Sequence, residues 1–344
     1  MTDPEAPIST SELVDWLGGR PTDRLAAIDI EDWDLASISR SAVDLLRGDD
    51  PVYVLAPMVR YSRLPFRELV REYGVHIAYT PMIISDAFAQ SQVARDIQLS
   101  ISKNDTPLVV QFAASNAADF ANAVAHVAPY VAGVDLNCGC PQSWVMQCGY
   151  GARLLRTPEL ICDMVRAARA LPGRASTVPV SVKIRIDEDL AQTVELARRA
   201  EAAGAAWIAV HGRLTPQRSS TPPNLDAIRL VKESVSIPVI ANGDVDSLAA
   251  VDTIRQQTGV NAFMSARPLL TNPALFRGYD STPVECVRRY LELAVAYGAS
   301  FDTMQHHVSK MSEHLFSASE RRYMHSLTTT AGVVDFFEDY VSNF

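Results

Sequence analysis

The stretch PVSVKIRIDEDLAQTVELARRAEAAGAAWIAVHG, residues 179–212, carries the pattern that decides the fold. It opens with one short apolar run, Pro179–Arg185, and closes with another, Ala205–Gly212. The residues between them, Asp189–Ala203, predict a helix that ends at Gly204, because glycine readily adopts the backbone conformation that caps a helix C-terminus. A strand, a helix and a second strand in this order predict the βαβ unit of a parallel sheet.

The same alternation recurs along most of the chain. Most of the apolar runs are continuously hydrophobic, as is usual for strands buried on both faces of a parallel sheet. Eight such strand–helix units within residues 52–269 favour an α/β fold of the (β/α)8 TIM barrel type. No GxGxxG motif follows the first strand, which argues against a dinucleotide-binding fold. The predicted strands are Val52–Pro57, Ile77–Met82, Leu108–Ala113, Gly133–Asn137, Pro179–Arg185, Ala205–Gly212, Pro238–Asp244 and Asn261–Leu269, and the predicted helices are 62–73, 115–128, 157–170, 189–203, 224–234 and 246–257, with another opening at Asn272-Pro273.

Two further segments flank the predicted barrel of residues 51–280. Residues 1–50 are an acidic N-terminal extension with two predicted helices, Ser9–Leu17 and Leu35–Arg47, and the sequence is compatible with an ordered or a partly disordered arm. Strand patterns stop after residue 280, so residues 281–344 predict a small helical C-terminal domain whose histidines, among them His307, are expected on its surface. Its predicted helices are Thr282–Gly298, Asp302–Phe316, Ser319–Ser326 and Gly332–Val341.

Charge is distributed unevenly along the chain. The net charge is −9, and residues 1–50 alone hold twelve acidic and four basic residues, a net charge of −8. Residues 51–344 hold 28 acidic and 27 basic residues, so the rest of the chain is balanced enough to present a basic face to a nucleic acid. The net charge therefore neither supports nor excludes an RNA partner.

Composition bounds the class of protein. A hydrophobic share of 48% and a charged share of 21% are ordinary for a globular protein. No apolar run approaches the roughly 18 residues of a membrane span, and the acidic start is unlike a secretory signal. Five cysteines without a paired CxxC pattern predict reduced thiols and no metal site. We expect a monomer of the cytoplasm, or of the cytoplasm and the nucleus.

Polar candidates stand where the predicted strands end, which is where TIM barrels keep their active sites. Seven of the eight strand ends carry one. Lys183 supplies a compact cation, Gly243 lets the backbone approach an anion, and Arg267 can bind a phosphate with two hydrogen bonds. FMN needs such a cation, such a phosphate cradle and a group that binds its amide edge. The candidates in order are Pro57, Met58 and Val59; Gln111; Asn137 and Cys140; Lys183 and Arg185; His211; Asn242, Gly243 and Asp244; Ala266 and Arg267.

Each candidate also has a structural interpretation. His211 can be a hydrogen-bonded structural histidine, and Gly243 can serve a strand-to-helix turn. Asp244 can cap the helix that follows. Arg213 and Arg218 are typical of solvated loop charges. The coincidence of polar residues at seven strand ends favours a site over these separate interpretations.

Several segments, taken in order, resemble the tRNA-dihydrouridine synthases. The most specific is Asn137-Cys138-Gly139-Cys140-Pro141, and the similarity runs from about residue 50 to the C-terminus. Leu136–Ser143, Ala56–Ser62 and Tyr79–Ile83 are most similar to the eukaryotic subgroup that modifies positions 20a and 20b. The other matching segments are Leu64–Arg67, Gln111, Gly149–Ala152, Val182–Arg185, Val210–Arg213, Ile240–Asp244 and Ala266-Arg267.

This resemblance implies an FMN-dependent enzyme with NADPH or NADH as reductant and tRNA as partner, gripped by the helical domain. It implies hydride transfer from reduced FMN to C6 of a uracil flipped into the pocket, with Cys140 as the general acid that protonates C5. It also implies that Asn137 and Arg185 contact the uracil. The flavin-binding residues that it implies are Pro57, Met58, Val59, Gln111, Lys183, His211, Asn242, Gly243, Asp244, Ala266 and Arg267.

Two positions depart from the family pattern. Arg153 stands after Gly149–Ala152, where a small or apolar residue is expected, and Pro268 follows Ala266-Arg267 in place of the usual glycine. Proline has no backbone N–H, so FMN would bind more weakly if that N–H normally serves the phosphate. Two alternatives therefore stay open: an FMN-dependent oxidoreductase of a small pyrimidine, of the dihydropyrimidine or dihydroorotate type, and a non-catalytic tRNA-binding protein.

Overall fold

The computed structural model describes residues 42–342, and within them parallel strands close into a barrel. The strands are β1 (Val52–Leu55), β2 (Ile77–Tyr79), β3 (Ile83–Ile84), β4 (Leu108–Ala113), β5 (Gly133–Cys138), β6 (Val180–Arg185), β7 (Trp207–His211), β8 (Val239–Asn242) and β9 (Ala262–Ser265). The ring closes where β2 pairs with β4 and β1 pairs with β9. Both β2 and β3 pair with β4 and share one position in the ring. The barrel thus has eight strand positions, and the predicted (β/α)8 fold is confirmed.

Helices surround the barrel and follow its last strand. The six helices predicted between strands are present, and so are the four predicted after residue 280. Several begin at a capping side chain: Asn116, Asn224 and Ser247 each accept a hydrogen bond from a backbone N–H three residues on. The helices are α1 (Ala42–Arg47), α2 (Leu64–Glu72), α3 (Ser85–Gln90), α4 (Gln92–Gln98), α5 (Ala117–Val127), α6 (Ser143–Gln147), α7 (Pro158–Arg169), α8 (Leu190–Ala202), α9 (Leu225–Ser234), α10 (Leu248–Thr258), α11 (Arg267–Thr271), α12 (Val284–Ala296), α13 (Phe301–Met311), α14 (Ala318–Ser326) and α15 (Thr330–Ser342).

Some predicted boundaries were wrong. The strand predicted over Asn261–Leu269 ends at Ser265, because the backbone leaves the extended region at Ala266 and α11 begins one residue later. The helix predicted from Asn272-Pro273 is only a 3-10 turn, Leu275–Arg277. Helices α3 and α4 were not predicted, since segments of 6 and 7 residues are too short to establish a helical period.

The two helices predicted near the N-terminus fall mostly outside the described residues. The first, Ser9–Leu17, lies entirely outside them, and of the second, Leu35–Arg47, only α1 is described. Its Leu46 is buried and packs against the apolar interior of the barrel, close to the start of β1.

The barrel interior is a packed core rather than a channel. Trp207 and Tyr79 are fully buried inside it, and the indole N–H of Trp207 donates to the Tyr79 hydroxyl over 2.9 Å. Gly133 makes room for this ring, because a Cβ at that position would lie 2.5 Å from the Trp207 side chain. These packed rings close the barrel below the site.

The C-terminal helices pack directly on the first helix of the barrel. Tyr297 donates its hydroxyl hydrogen to Glu68 over 2.9 Å, and His307 lies 4.4 Å from the Phe66 ring and 4.8 Å from the Tyr290 ring, centroid to centroid. His307 is fully buried, so its predicted surface position was wrong. Burial lowers its pKa to about 3, and the imidazole is neutral at physiological pH.

Candidate active site

The predicted site residues lie at one rim of the barrel, because the carboxyl ends of parallel strands meet there. Residues within strands come from the last half of each, and the others follow a strand end directly. Gln111 lies in β4, Asn137 in β5, Lys183 and Arg185 in β6, His211 at the end of β7 and Asn242 at the end of β8; Pro57, Met58 and Val59 follow β1, Cys140 follows β5, Gly243 and Asp244 follow β8, and Ala266 and Arg267 follow β9.

A chain of hydrogen bonds leads from the barrel interior to the backbone of Cys140. The Ser181 hydroxyl donates to one carboxylate oxygen of Asp135 over 2.6 Å, and the Gln111 amide nitrogen donates to the other over 2.8 Å. The Gln111 oxygen accepts from Nδ2 of Asn137 over 2.8 Å, and Oδ1 of Asn137 accepts from the N–H of Cys140 over 2.9 Å. Because a carboxylate only accepts hydrogen bonds, Asp135 determines which way both amides face.

Strand register places these groups side by side. Gln111 pairs with Asp135 across β4 and β5, and Asp135 pairs with Ser181 across β5 and β6. Burial raises the pKa of Asp135 to about 6, so the carboxyl is ionised at neutral pH.

Sequence analysis missed Asp135 and Ser181. The signal that could have found them is a polar residue at the matching place in three adjacent, otherwise apolar strands.

The loop after β5 holds Cys140 in a closely fitted position. Its carbonyl oxygen accepts from the N–H of Ala152 over 3.0 Å. Gly151 has a φ of 62°, and a Cβ there would lie 2.7 Å from the same oxygen. Burial raises the pKa of the Cys140 thiol, although Arg185 and Lys183 oppose that change. The thiol is therefore protonated at neutral pH and can act as a proton donor.

Two cations from β6 stand beside this thiol. Nζ of Lys183 donates to Oδ1 of Asn242 over 2.8 Å, and burial, aided by the charge of Arg185, lowers the Lys183 pKa to about 8. Nε of Arg185 donates to the Gly139 carbonyl over 2.9 Å, and Nη1 donates to the Leu214 carbonyl over 2.9 Å. Arg185 thus braces the Cys140 loop.

A cavity of about 770 Å³ opens at the ends of β7, β8 and β9. Its volume lies within the range of small-molecule sites, about 300–1,000 Å³. Gly243 has a φ of 129°, and a Cβ there would lie 2.9 Å from Cβ of Pro223, so only glycine keeps this wall unobstructed. The Arg267 side chain is exposed, and no hydrogen bond or ion pair holds its guanidinium within residues 42–342. Predicted residues in the wall are His211, Asn242, Gly243, Asp244, Ala266 and Arg267.

The other predicted residues lie outside this wall. Gln111, Asn137, Cys140, Lys183 and Arg185 belong to the neighbouring strands β4 to β6. Asn242 joins the two groups, since it lines the cavity and also accepts the hydrogen bond from Lys183. The structure therefore divides the rim into a half that contains the cavity and a half that contains the thiol.

Arg213 corrects one interpretation of the sequence. Its side chain is 2% exposed, so it is not a solvated loop charge. It donates to both carboxylate oxygens of Asp244 over 2.6 Å, and one of its nitrogens lies 3.3 Å from Nε2 of His211. Burial and the cations Lys183, Arg185, Arg213 and Arg267 lower the His211 pKa to about 2, so this imidazole is neutral. Arg218, by contrast, is exposed.

The turn after β1 is held from both sides. The Met58 carbonyl accepts from the N–H groups of Tyr61 and Ser62 over 3.1 and 3.0 Å. Arg67 in α2 donates to the Ser62 carbonyl over 2.7 Å, and Nε2 of His307 in α13 lies 3.1 Å from the Tyr61 carbonyl. Both the barrel and the C-terminal helices thus fix the turn that presents Met58.

Pro268 occupies a place that tolerates proline. It is the second residue of α11, where the N–H of an ordinary residue would have no partner within the helix. The proline therefore removes a donor near the cavity without breaking a helical hydrogen bond. The predicted weakening of FMN binding remains a prediction.

Within residues 42–342 the cysteines, the potential metal ligands and the apolar helices give no further site. No three His, Cys, Asp or Glu side chains in that range converge as metal ligands. No helix there is long and apolar enough to cross a membrane. All five cysteines are free thiols, of which Cys138 is buried and Cys148 is exposed.

Comparison with known proteins gives a consistent set of relatives. The family model described as dihydrouridine synthase (Dus) matches residues 54–334. A Mus musculus tRNA-dihydrouridine(20a/20b) synthase-like protein, whose name specifies NAD(P)+, is 44% identical over 301 residues, which cover 88% of this chain and 92% of that protein. The Schizosaccharomyces pombe tRNA-dihydrouridine(20a/20b) synthase is 42% identical over 297 residues, covering 86% and 90%. Among solved structures, a 2-naphthoyl-CoA reductase has a TM-score of 0.52 at 9% identity, covers 65% of this chain and 49% of that one, and shows the fold alone.

Proposed function

Since the chain belongs to the dihydrouridine synthase family, we propose that it reduces the C5–C6 bond of uridines 20a and 20b in tRNA, using NAD(P)H as reductant and FMN as bound cofactor. The relatives support the reaction class and the nicotinamide reductant over most of the chain. The observation that carries the chemical part is the protonated Cys140 thiol, fixed at the rim beside Lys183 and Arg185.

The rim fits FMN in both charge and space. The cavity wall offers the bare backbone of Gly243 and the unpaired guanidinium of Arg267 to a phosphate. Three carboxylates line that cavity, those of Asp244, Asp246 and Asp280, and Arg213 pairs with Asp244, which offsets one of the three charges. Lys183 lies between the cavity and the thiol, where a cation would stabilise an anionic ring.

Specific residues have separate tasks in this proposal. When bound, FMN supplies the electron pair that reduces the C5–C6 bond of uracil. Cys140 gives its proton to C5, and Asn137 and Arg185 orient the base through donors that the loop leaves available. Val59 and Cys140 pack against one apolar cluster at the rim.

The test is an absorbance experiment on the purified protein without oxygen. A flavin band near about 450 nm should bleach with NADPH and return when unmodified tRNA is added. Bleaching that ignores tRNA but responds to free uracil would instead support a small-pyrimidine oxidoreductase. A colourless protein that binds tRNA, even after incubation with FMN, would support a non-catalytic RNA-binding protein.

The charge of Lys183 gives a pH prediction. Its pKa of about 8 means that the ammonium is charged below that pH and neutral above it. FMN binding to the apoprotein should therefore weaken by up to about tenfold between pH 7 and 9, because the charged fraction of Lys183 falls about tenfold over that range and a charge-assisted hydrogen bond contributes about 1.5–3 kcal/mol. In Lys183→Arg the side chain stays charged, so FMN affinity should vary less with pH. Titration of flavin fluorescence measures both, and parallel pH slopes in the two proteins would contradict the assignment.

A further inference from the structure

Residues Gly151–Arg156 form a 3-10 helix that lies against the Cys140 loop. The N–H of Ala152 donates to the Cys140 carbonyl over 3.0 Å, and Gly151 allows the close approach. This helix also contains Arg153, one of the two residues that depart from the family pattern. Arg153 therefore belongs to a segment that contacts the Cys140 loop.

The geometry of this helix brings Arg153 and Arg156 to one side. A 3-10 helix has three residues per turn, so side chains at i and i+3 are eclipsed, about 6 Å apart along the axis. Both arginines are exposed, while Leu154 between them is buried. The two guanidinium groups therefore project from the same face next to the rim.

Neither guanidinium is neutralised by the described part of the chain. Within residues 42–342, neither Arg153 nor Arg156 has a side-chain hydrogen bond or an ion pair. The sequence has no acidic residue between Asp135 and Glu159, and Glu159 itself is paired with Arg199.

Exposed arginines on the outer helices behave differently. Arg166 pairs with Asp163, and Arg229 pairs with both Asp226 and Glu233. Arg153 and Arg156 have no acidic partner within residues 42–342, so both charges are available to bind a polyanion. Arginine forms bidentate hydrogen bonds with phosphate, which makes an RNA backbone the fitting occupant.

We propose that Arg153 and Arg156 bind the phosphates that flank the target uridine and so hold the RNA strand over Cys140. The proposal rests on the proposed function, because it takes tRNA as the substrate. It assigns these two residues to substrate positioning. Since uracil must leave the stack to reach the thiol, fixing the flanking backbone holds the base in place.

The salt dependence of tRNA binding tests this assignment. The slope of log K against log salt is about −0.7 per phosphate contact for a single strand and −0.9 for a duplex. In Arg153→Ala/Arg156→Ala the slope should therefore become shallower by about 1.4–1.8, and Kd at 0.15 M salt should rise about tenfold. KM for tRNA should rise with Kd.

Two matched proteins complete the experiment. Arg153→Lys/Arg156→Lys keeps the charge and should retain most of the wild-type slope. Arg229→Ala should not change it, because Arg229 is already paired with Asp226 and Glu233 on an outer helix. An alanine pair with the wild-type slope would overturn the proposal. If the reduced wild-type protein is not reoxidised by tRNA, the proposed function fails; if it is, and the slope is unchanged in the alanine pair, only the role of these arginines fails.

Discussion

Replacement of Cys140 with alanine should lower dihydrouridine formation by about 10²–10⁴-fold, the usual contribution of a positioned general acid. The thiol is held at the rim by the hydrogen bonds of its backbone to Asn137 and Ala152, so the loop keeps its shape when the sulfur is removed. Burial keeps the thiol protonated, and alanine has no proton to give. Single-turnover oxidation of the reduced protein by tRNA is the measurement.

The same variant should still bind FMN and be reduced by NADPH, because the cavity at β7 to β9 does not include Cys140. Cys148→Ala is the matched control, since Cys148 is an exposed thiol eight positions further along the chain. Its reoxidation rate should equal that of the wild type. A Cys140→Ala protein with an undiminished rate would sink the general-acid assignment, and equal losses in both variants would indicate a nonspecific effect of removing thiols.

The largest loss of stability is expected for Asp105→Ala. The Asp105 carboxylate has no exposed surface and accepts from Arg67 over 2.7 Å and from Arg71 over 3.1 Å. The Arg67 side chain is only 2% exposed, so the substitution leaves a buried cation without its counter-ion. Breaking a buried pair in this way costs about 3–5 kcal/mol. Urea unfolding followed by circular dichroism gives the change in free energy of unfolding.

Replacement of Asp105 should also affect FMN binding. Arg67 holds the Ser62 carbonyl of the turn that presents Met58, so FMN should bind less tightly to Asp105→Ala than to the wild type. Glu233→Ala is the control for stability, because Glu233 pairs with Arg229 at the surface, where such pairs contribute about 0–1 kcal/mol. Equal and small losses in the two variants would show that the Asp105 cluster is not the stabilising centre that its burial indicates.

Local sequence patterns were sufficient for most of the fold. The strand–helix alternation depends on short-range periodicity and capping, which is why β6, α8 and β7 were predicted within one or two residues of their observed bounds. The end of β9 was missed because Arg267-Pro268 starts a helix where an apolar run continues. Proline at the beginning of a helix has this effect.

The sequence did not reveal the roles of some residues because their contacts are with residues far away along the chain. Arg213 is buried by its pair with Asp244, 31 positions away, and Asp135 gains its role from Gln111 and Ser181 on the neighbouring strands. His307 is buried by contacts with a turn 246 positions earlier. Side-chain type predicts none of these contacts, because each follows from strand register or from the packing of distant helices. The motif residues were recognisable because they stand at predicted strand ends and because their segments resemble those of a known family.

The contact between His307 and the Tyr61 carbonyl limits how this family can be recombined. A chimaera that joins this barrel to the C-terminal helices of a relative at residue 281 would separate the imidazole from the turn that it braces. The exchangeable unit is therefore not the contiguous segment after the barrel. It is that segment together with Tyr61 and Phe66, so moving the C-terminal helices from one relative to another requires two pieces of chain to be transferred as one.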